Sequence, residues 1–160
     1  MSSVLGSATL NVVTTESIDL GGLVHNVTRS YSVAGVNMVS TRIIRVFSGS
    51  MTPLLGFGGS SKTGTYMSGN VKYIRVTSLD TTSNATMRLS KSSGQIFYNA
   101  LLPQSTLMYY STKFECTDSG GGPSSTNPAS FTSFDEIAIQ CTGSSYLDLE
   151  LFVATAESSG

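Results

Sequence analysis

The sequence predicts an all-β fold: a single-domain antiparallel β-sandwich, jelly-roll-like, of about eight strands. Three observations carry this. Runs rich in β-branched and aromatic residues alternate apolar and polar positions with a period of two, as in Ala85, Met87 and Leu89 against Thr86, Arg88 and Ser90. Clusters of Gly, Pro, Asn, Asp and Ser punctuate these runs. Ala, Leu, Glu and Lys never recur at helical spacing for more than a turn. Strands that cannot become a bundle must pack sheet on sheet.

Taken in order, residues 1–8 form a candidate N-terminal arm, and Thr9 to Thr14 reads as a first strand closed by a turn from Glu16 to Gly22. From Leu23 to Val33, the residues Leu23, His25, Val27, Arg29, Tyr31 and Val33 share one face, and the opposite face is largely hydroxyl-bearing. Val36 to Phe47 is a long strand with apolar residues on both sides. Residues 48–69 read as a long loop anchored by Leu54, Leu55 and Phe57.

The stretch from Gly69 to Ser111 packs the strongest signals together. Val71 to Leu79 is a strand, the Asp-Thr-Thr-Ser-Asn run from Asp80 is a turn, and Ala85 to Ser90 is a second strand. Gln95 to Leu102 runs into Pro103, which cannot donate to a ladder, and Ser105 to Ser111 restarts the pattern. Residues 117–133 form a second long loop with Gly-Gly-Gly-Pro and Asn-Pro signals. Finally, Ile137, Ile139 and Cys141 alternate with polar residues, as do Leu147, Leu149, Leu151 and Val153, and Thr142-Gly143-Ser144 between them predicts a hairpin.

Composition narrows the partners. At 160 residues the chain fits one domain with a sizeable core. Charged residues make up 12% against about 25% in an ordinary protein, while roughly three residues in ten are Ser or Thr, so hydroxyls carry the polarity. A net charge of -1 supplies no basic field to neutralise phosphates, which argues against nucleic acid as a partner. No apolar run approaches the roughly 20 residues of a membrane-spanning helix. The first residues carry neither a basic segment nor a continuous apolar run, so the reading is assembly in a cytoplasm. Cys116 and Cys141 lie 25 positions apart. A bridge would contribute about 3 to 4 kcal/mol, but the position of Cys141 on an apolar strand face favours free, buried thiols.

No stretch carries a catalytic signature. Gly56-Phe-Gly-Gly-Ser-Ser-Lys-Thr63 falls one residue short of a phosphate-binding loop, and Gly64, Gly69 and a following strand leave no helix to cradle a phosphate. His25 is the one histidine, which rules out a multi-histidine metal centre and points to a packed or hydrogen-bonded structural residue. Asp148 and Glu150 share one strand face and read as its solvated side rather than as a glycosidase pair. Tyr66, Tyr73, Tyr98, Tyr109 and Tyr110 offer either a sugar-stacking platform or, more simply, core and interface packing. Asn26-Val-Thr28 and Asn84-Ala-Thr86 match glycosylation acceptors, which matter only in a secreted eukaryotic protein. No cofactor is expected.

Val71-Lys-Tyr-Ile-Arg-Val-Thr-Ser-Leu-Asp80, Met87-Arg-Leu89 and Leu101-Leu-Pro-Gln-Ser105 together resemble a module of virion structural proteins of tailed phages, particularly marine ones. The family form usually has Pro-Gly after the first proline, where this chain has Gln104-Ser105. The resemblance implies a non-enzymatic β-sandwich on the outside of a particle, a capsid decoration or cement protein, with a tail-fibre or glycan-binding adhesin as the alternative. It implies as partners copies of the chain itself and other virion proteins such as the major capsid protein, or a host-surface glycan in the alternative, and location in the virion. The expected contacts lie on the arm and the two long loops, with Phe57, Lys62, Tyr66, Tyr109, Tyr110, Pro123, Pro128 and Phe131 as interface candidates.

Overall fold

The computed structural model describes residues 6–57, 65–66, 70–91, 96–110, 115–116 and 132–156. They form thirteen strands: β1 (Ala8–Leu20), β2 (Leu23–Val36), β3 (Met38–Phe47), β4 (Thr52–Phe57), β5 (Thr65–Tyr66), β6 (Val71–Ser78), β7 (Asn84–Ser90), β8 (Ile96–Leu101), β9 (Thr106–Tyr110), β10 (Glu115–Cys116), β11 (Thr132–Ser133), β12 (Glu136–Thr142) and β13 (Tyr146–Thr155). Two sheets make the body, ordered β3-β13-β6-β9 and β5-β4-β12-β7-β8. All their pairings are antiparallel except that of the two-residue β5 with β4.

Apart from β5, the body has eight strands. In chain order, the first sheet holds the first, eighth, third and sixth of them, and the second holds the second, seventh, fourth and fifth. That interleaving is the jelly roll. Alternation aims one side of each sheet inward: Val46, Leu147, Leu149, Leu151, Val153, Ile74 and Val76 from the first meet Leu55, Ile137, Ile139, Cys141, Ala85, Met87, Leu89 and Leu101 from the second. These side chains are almost fully buried in one cluster, and burying each of its Val, Leu, Ile and Met side chains contributes about 1.5–3 kcal/mol.

Four local expectations give way. Thr52–Phe57 is a core strand, not loop: Leu54, Leu55 and Phe57 are buried, and Pro53 is tolerated because it sits opposite Ala138 where the register slips. The strands around Gly143 are not a hairpin, since β12 belongs to one sheet and β13 to the other. Both are central strands whose apolar faces must meet across the core, so the connection arches between layers. The third concerns the stretch Glu16 to Leu20. It continues β1, and the turn shrinks to Gly21-Gly22. Both glycines have positive φ, 63° and 93°, as a two-residue hairpin turn of matching twist requires, and Asp19 Oδ1 accepts the Gly22 amide at 2.8 Å. His25, the fourth, is exposed on that hairpin instead of packed inside.

One end of the sandwich is locked by its loops. Asp80 Oδ1 accepts the amides of Thr82 and Ser83, each at 2.7 Å, and the Asp80 carbonyl accepts the Gln104 amide at 3.0 Å. Ser83 and Ser144 share a hydroxyl contact of 2.6 Å, and the Ser48 amide donates to the Ser145 carbonyl. Ser105 closes a tight turn on Leu102, with Pro103 at its second position and Gln104 at its third. Asp80 and the Leu-Pro-Gln-Ser corner, both part of the motif singled out in the sequence, therefore do structural work here.

Candidate interaction surfaces

Strands β1 and β2 pair only with each other, forming a two-stranded ribbon of 13 and 14 residues. At about 3.4 Å per residue it runs for roughly 45 Å. Antiparallel partners share a face, so the register defines two sides. One carries Leu10 with Val33, Val12 with Tyr31, Thr14 with Arg29, Glu16 with Val27, Ile18 with His25, and Leu20 with Leu23. The other carries Asn11 with Ser32, Val13 with Ser30, Thr15 with Thr28, Ser17 with Asn26, and Asp19 with Val24. The ribbon is therefore amphipathic, with a polar belt at Thr14, Glu16 and Arg29 crossing its apolar side.

The base of this apolar side is covered by the body. Val33, Val36, Leu10 and Val12 pack with Tyr73, Ala154, Met108 and Phe152 on the outer face of the β3-β13-β6-β9 sheet. A bulge makes this possible. Between the paired positions, β2 takes three steps from Val33 to Val36 while β1 takes two from Ala8 to Leu10, with Gly35 at φ 76°. The extra residue turns Val33 and Val36, which strict alternation would place on opposite sides, onto the same buried surface.

Among the described residues, nothing covers the distal part in this way. Leu23 is 73% exposed and Leu20 66%, with Ile18 and Val24 exposed beside them. Next to the covered base, Thr14, Arg29, Ser30 and Tyr31 line an open cleft of about 530 Å³.

The rest of the outer sheet face alternates apolar groups with ion pairs. Arg45 makes a two-pronged contact with Asp148 at 2.8 and 2.9 Å and lies 4.2 Å above the Tyr146 ring, which meets Phe47 edge-on. Arg75 pairs with Glu150 and stacks near Phe152, itself edge-on to Tyr73. The Arg45 guanidinium holds the Asp148 carboxyl below its ordinary range. Asp148 and Glu150 thus serve as charge partners on a strand face. Ile43, at 73%, and Phe47, at 57%, remain open on β3, whose outer edge pairs with no described strand.

The tyrosines do not form one platform. Tyr73 is buried under the ribbon on one sheet, and Tyr98 is exposed on the opposite outer face beside Arg88. Tyr109 points inward, half-buried, and accepts a hydrogen bond from Asn99 Nδ2 at 3.1 Å across the sandwich mouth, where burial raises its hydroxyl pKa. Of the interface candidates, Phe57 is a core residue and Tyr66 packs against the core. Tyr110 lies opposite Tyr73 in the sheet ladder. Lys62, Pro123, Pro128 and Phe131 lie outside the described residues.

Sequence reasoning missed the ribbon as a surface element because it read Glu16 to Leu20 as turn. The signal was the alternation Glu16, Ile18, Leu20 ahead of Gly-Gly, which mirrors Leu23, His25, Val27 behind it. Among the described residues, no group of three or more His, Cys, Asp or Glu side chains could hold a metal ion.

No family model, curated protein or solved structure matches the chain. The interaction surfaces therefore stand on their geometry alone.

Proposed function

We propose that the chain is a non-enzymatic structural subunit, of the capsid decoration or cement type, that works through contacts with copies of itself and with other virion proteins such as the major capsid protein. The observation that carries this is the ribbon with its uncovered apolar end. A two-stranded hairpin is marginal in water on its own, and contiguous exposed apolar surface marks interaction sites. The jelly roll is used by viral capsid subunits and by lectins alike, so the fold agrees with the reading without selecting it. Low charge and abundant hydroxyls suit a subunit that buries much of its outside. The glycan-binding alternative is weakened by the divergence of Tyr73, Tyr98 and Tyr109, which share no groove.

Light scattering of the purified protein, with negative-stain microscopy of the same sample, tests the reading. A closed oligomer, a polymer, or a monomer that binds preformed capsids supports it. A monomer that ignores capsids overturns it, and sugar binding by that monomer would support the adhesin alternative.

A further inference from the structure

We propose that the distal apolar face of the ribbon docks on the exposed remainder of the outer β3-β13-β6-β9 face of a second copy of this chain. The inference rests on the self-associating reading above and names the two surfaces that meet. One copy donates Ile18, Leu20 and Leu23; the other accepts them around Ile43, Phe47 and Tyr146.

Continuity is the first argument. The base of the same ribbon face already packs on the same kind of surface within one chain, through Leu10, Val12 and Val33 against Tyr73, Phe152 and Met108. The distal half continues that face outward, and the acceptor continues the sheet past the covered rows. Neither is covered by described residues of the single copy, with Leu23 and Ile43 among the most exposed apolar residues described.

Charge is the second. The belt between the two halves of the ribbon face carries one acid, Glu16, and one base, Arg29, and neither has an ion-pair partner among the described residues. The acceptor presents both signs, in Arg45 with Asp148 and Arg75 with Glu150. The acceptor therefore offers each ribbon charge a group of opposite sign.

Because the body sits on the base of the apolar side of its own ribbon, two ribbons cannot pair along the full length of that side. Donor and acceptor are then different surfaces, and each copy carries both. Such head-to-tail contacts build rings when the rotation closes and filaments when it does not.

The test uses two double variants of the full chain, Leu20→Asp with Leu23→Asp on the donor and Ile43→Glu with Phe47→Glu on the acceptor, with light scattering as the readout. All four residues are solvent-exposed, and a thermal melt verifies that each variant folds. The expected result is an oligomeric wild type, two monomeric variants, and an equimolar mixture at twice the subunit mass. The last value arises because one intact donor meets one intact acceptor. Should a charged variant not fold, the corresponding Ser substitutions are read instead as at least a tenfold weakening of self-association.

An oligomeric wild type with either variant still assembled, or a mixture that stays monomeric, overturns the proposed contact and leaves the structural-subunit reading standing. A wild type that is monomeric at every concentration overturns this contact. If that monomer also ignores preformed capsids, the subunit reading falls with it.

Discussion

Gln104 sits at φ 56°, the one non-glycine residue with positive φ among those described. In a turn with Pro103 before it, that position favours glycine, and the left-handed conformation costs an ordinary side chain about 1–2 kcal/mol. Gln104→Gly is therefore expected to stabilise the fold by up to about 1 kcal/mol, seen as a higher denaturant midpoint with unchanged slope. Asp80 gives a pH prediction. Two amide hydrogen bonds hold its carboxyl below the ordinary range, and Arg45 does the same for Asp148. A carboxyl depressed in the folded state lends stability above its unfolded pKa and loses it as pH falls through the folded value. Melting temperature should hold near neutrality and drop below about pH 4, and Asp80→Asn should flatten that drop. Cys141 is a free, buried thiol near Ser144. A mass-mapped thiol reagent should modify it only after denaturation.

At the scale of elements, the ribbon depends on the bulge at Gly35. No atom lies within 4 Å of a side chain added there, so Gly35→Ala meets backbone strain alone. It should cost about 1–2 kcal/mol and loosen Val33 and Val36 from Tyr73, a change that hydrogen exchange would report as faster amides in β2. Strand positions were largely legible in the sequence because period-two alternation survives wherever one face is buried. That is why β6, β7, β8, β9, β12 and β13 fall close to where alternation places them. Partnership was not legible. The hairpin expected at Gly143 and the arch found there present the same local pattern, since apolar residues face the core in both. What separates them is which layer needs a central strand, a property of the whole chain. β4 was hidden for another reason: Pro53 and flanking glycines mimic a loop, and its pairing comes from β12, 80 residues away in sequence.

For the molecule as a whole, the core joins both sheets through almost fully buried side chains. Met87 is fully buried between them, so Met87→Ala should cost about 2–5 kcal/mol and lower the melting transition of the entire body in one step. The ion pair of Arg88 with Glu136, 2.6 Å across neighbouring strands, is better shielded than that of Arg45 with Asp148. Glu136→Ala should therefore cost about 1.5–3 kcal/mol by chemical denaturation. The candidate surfaces were less legible than the core. Sequence placed contacts by loop length and aromatic content, whereas most of the exposed large apolar residues lie on regular strands, where alternation hides which face the body already covers.

The closing of the first sheet also sets an order in time. β3 finds its place only beside β13, and Arg45 lies 103 positions before its partner Asp148. A ribosome adding roughly 5–20 residues per second would take about 5–20 s to bridge that gap. The ribbon's pairing is local, but a two-stranded hairpin is marginal in water on its own, so on the nascent chain it settles only once the sheet it leans on is in place. During synthesis each chain then carries neither a settled ribbon nor a closed outer sheet face. Under the proposed contact, neighbours on one polysome would interlock only after β13 has emerged and the body has closed.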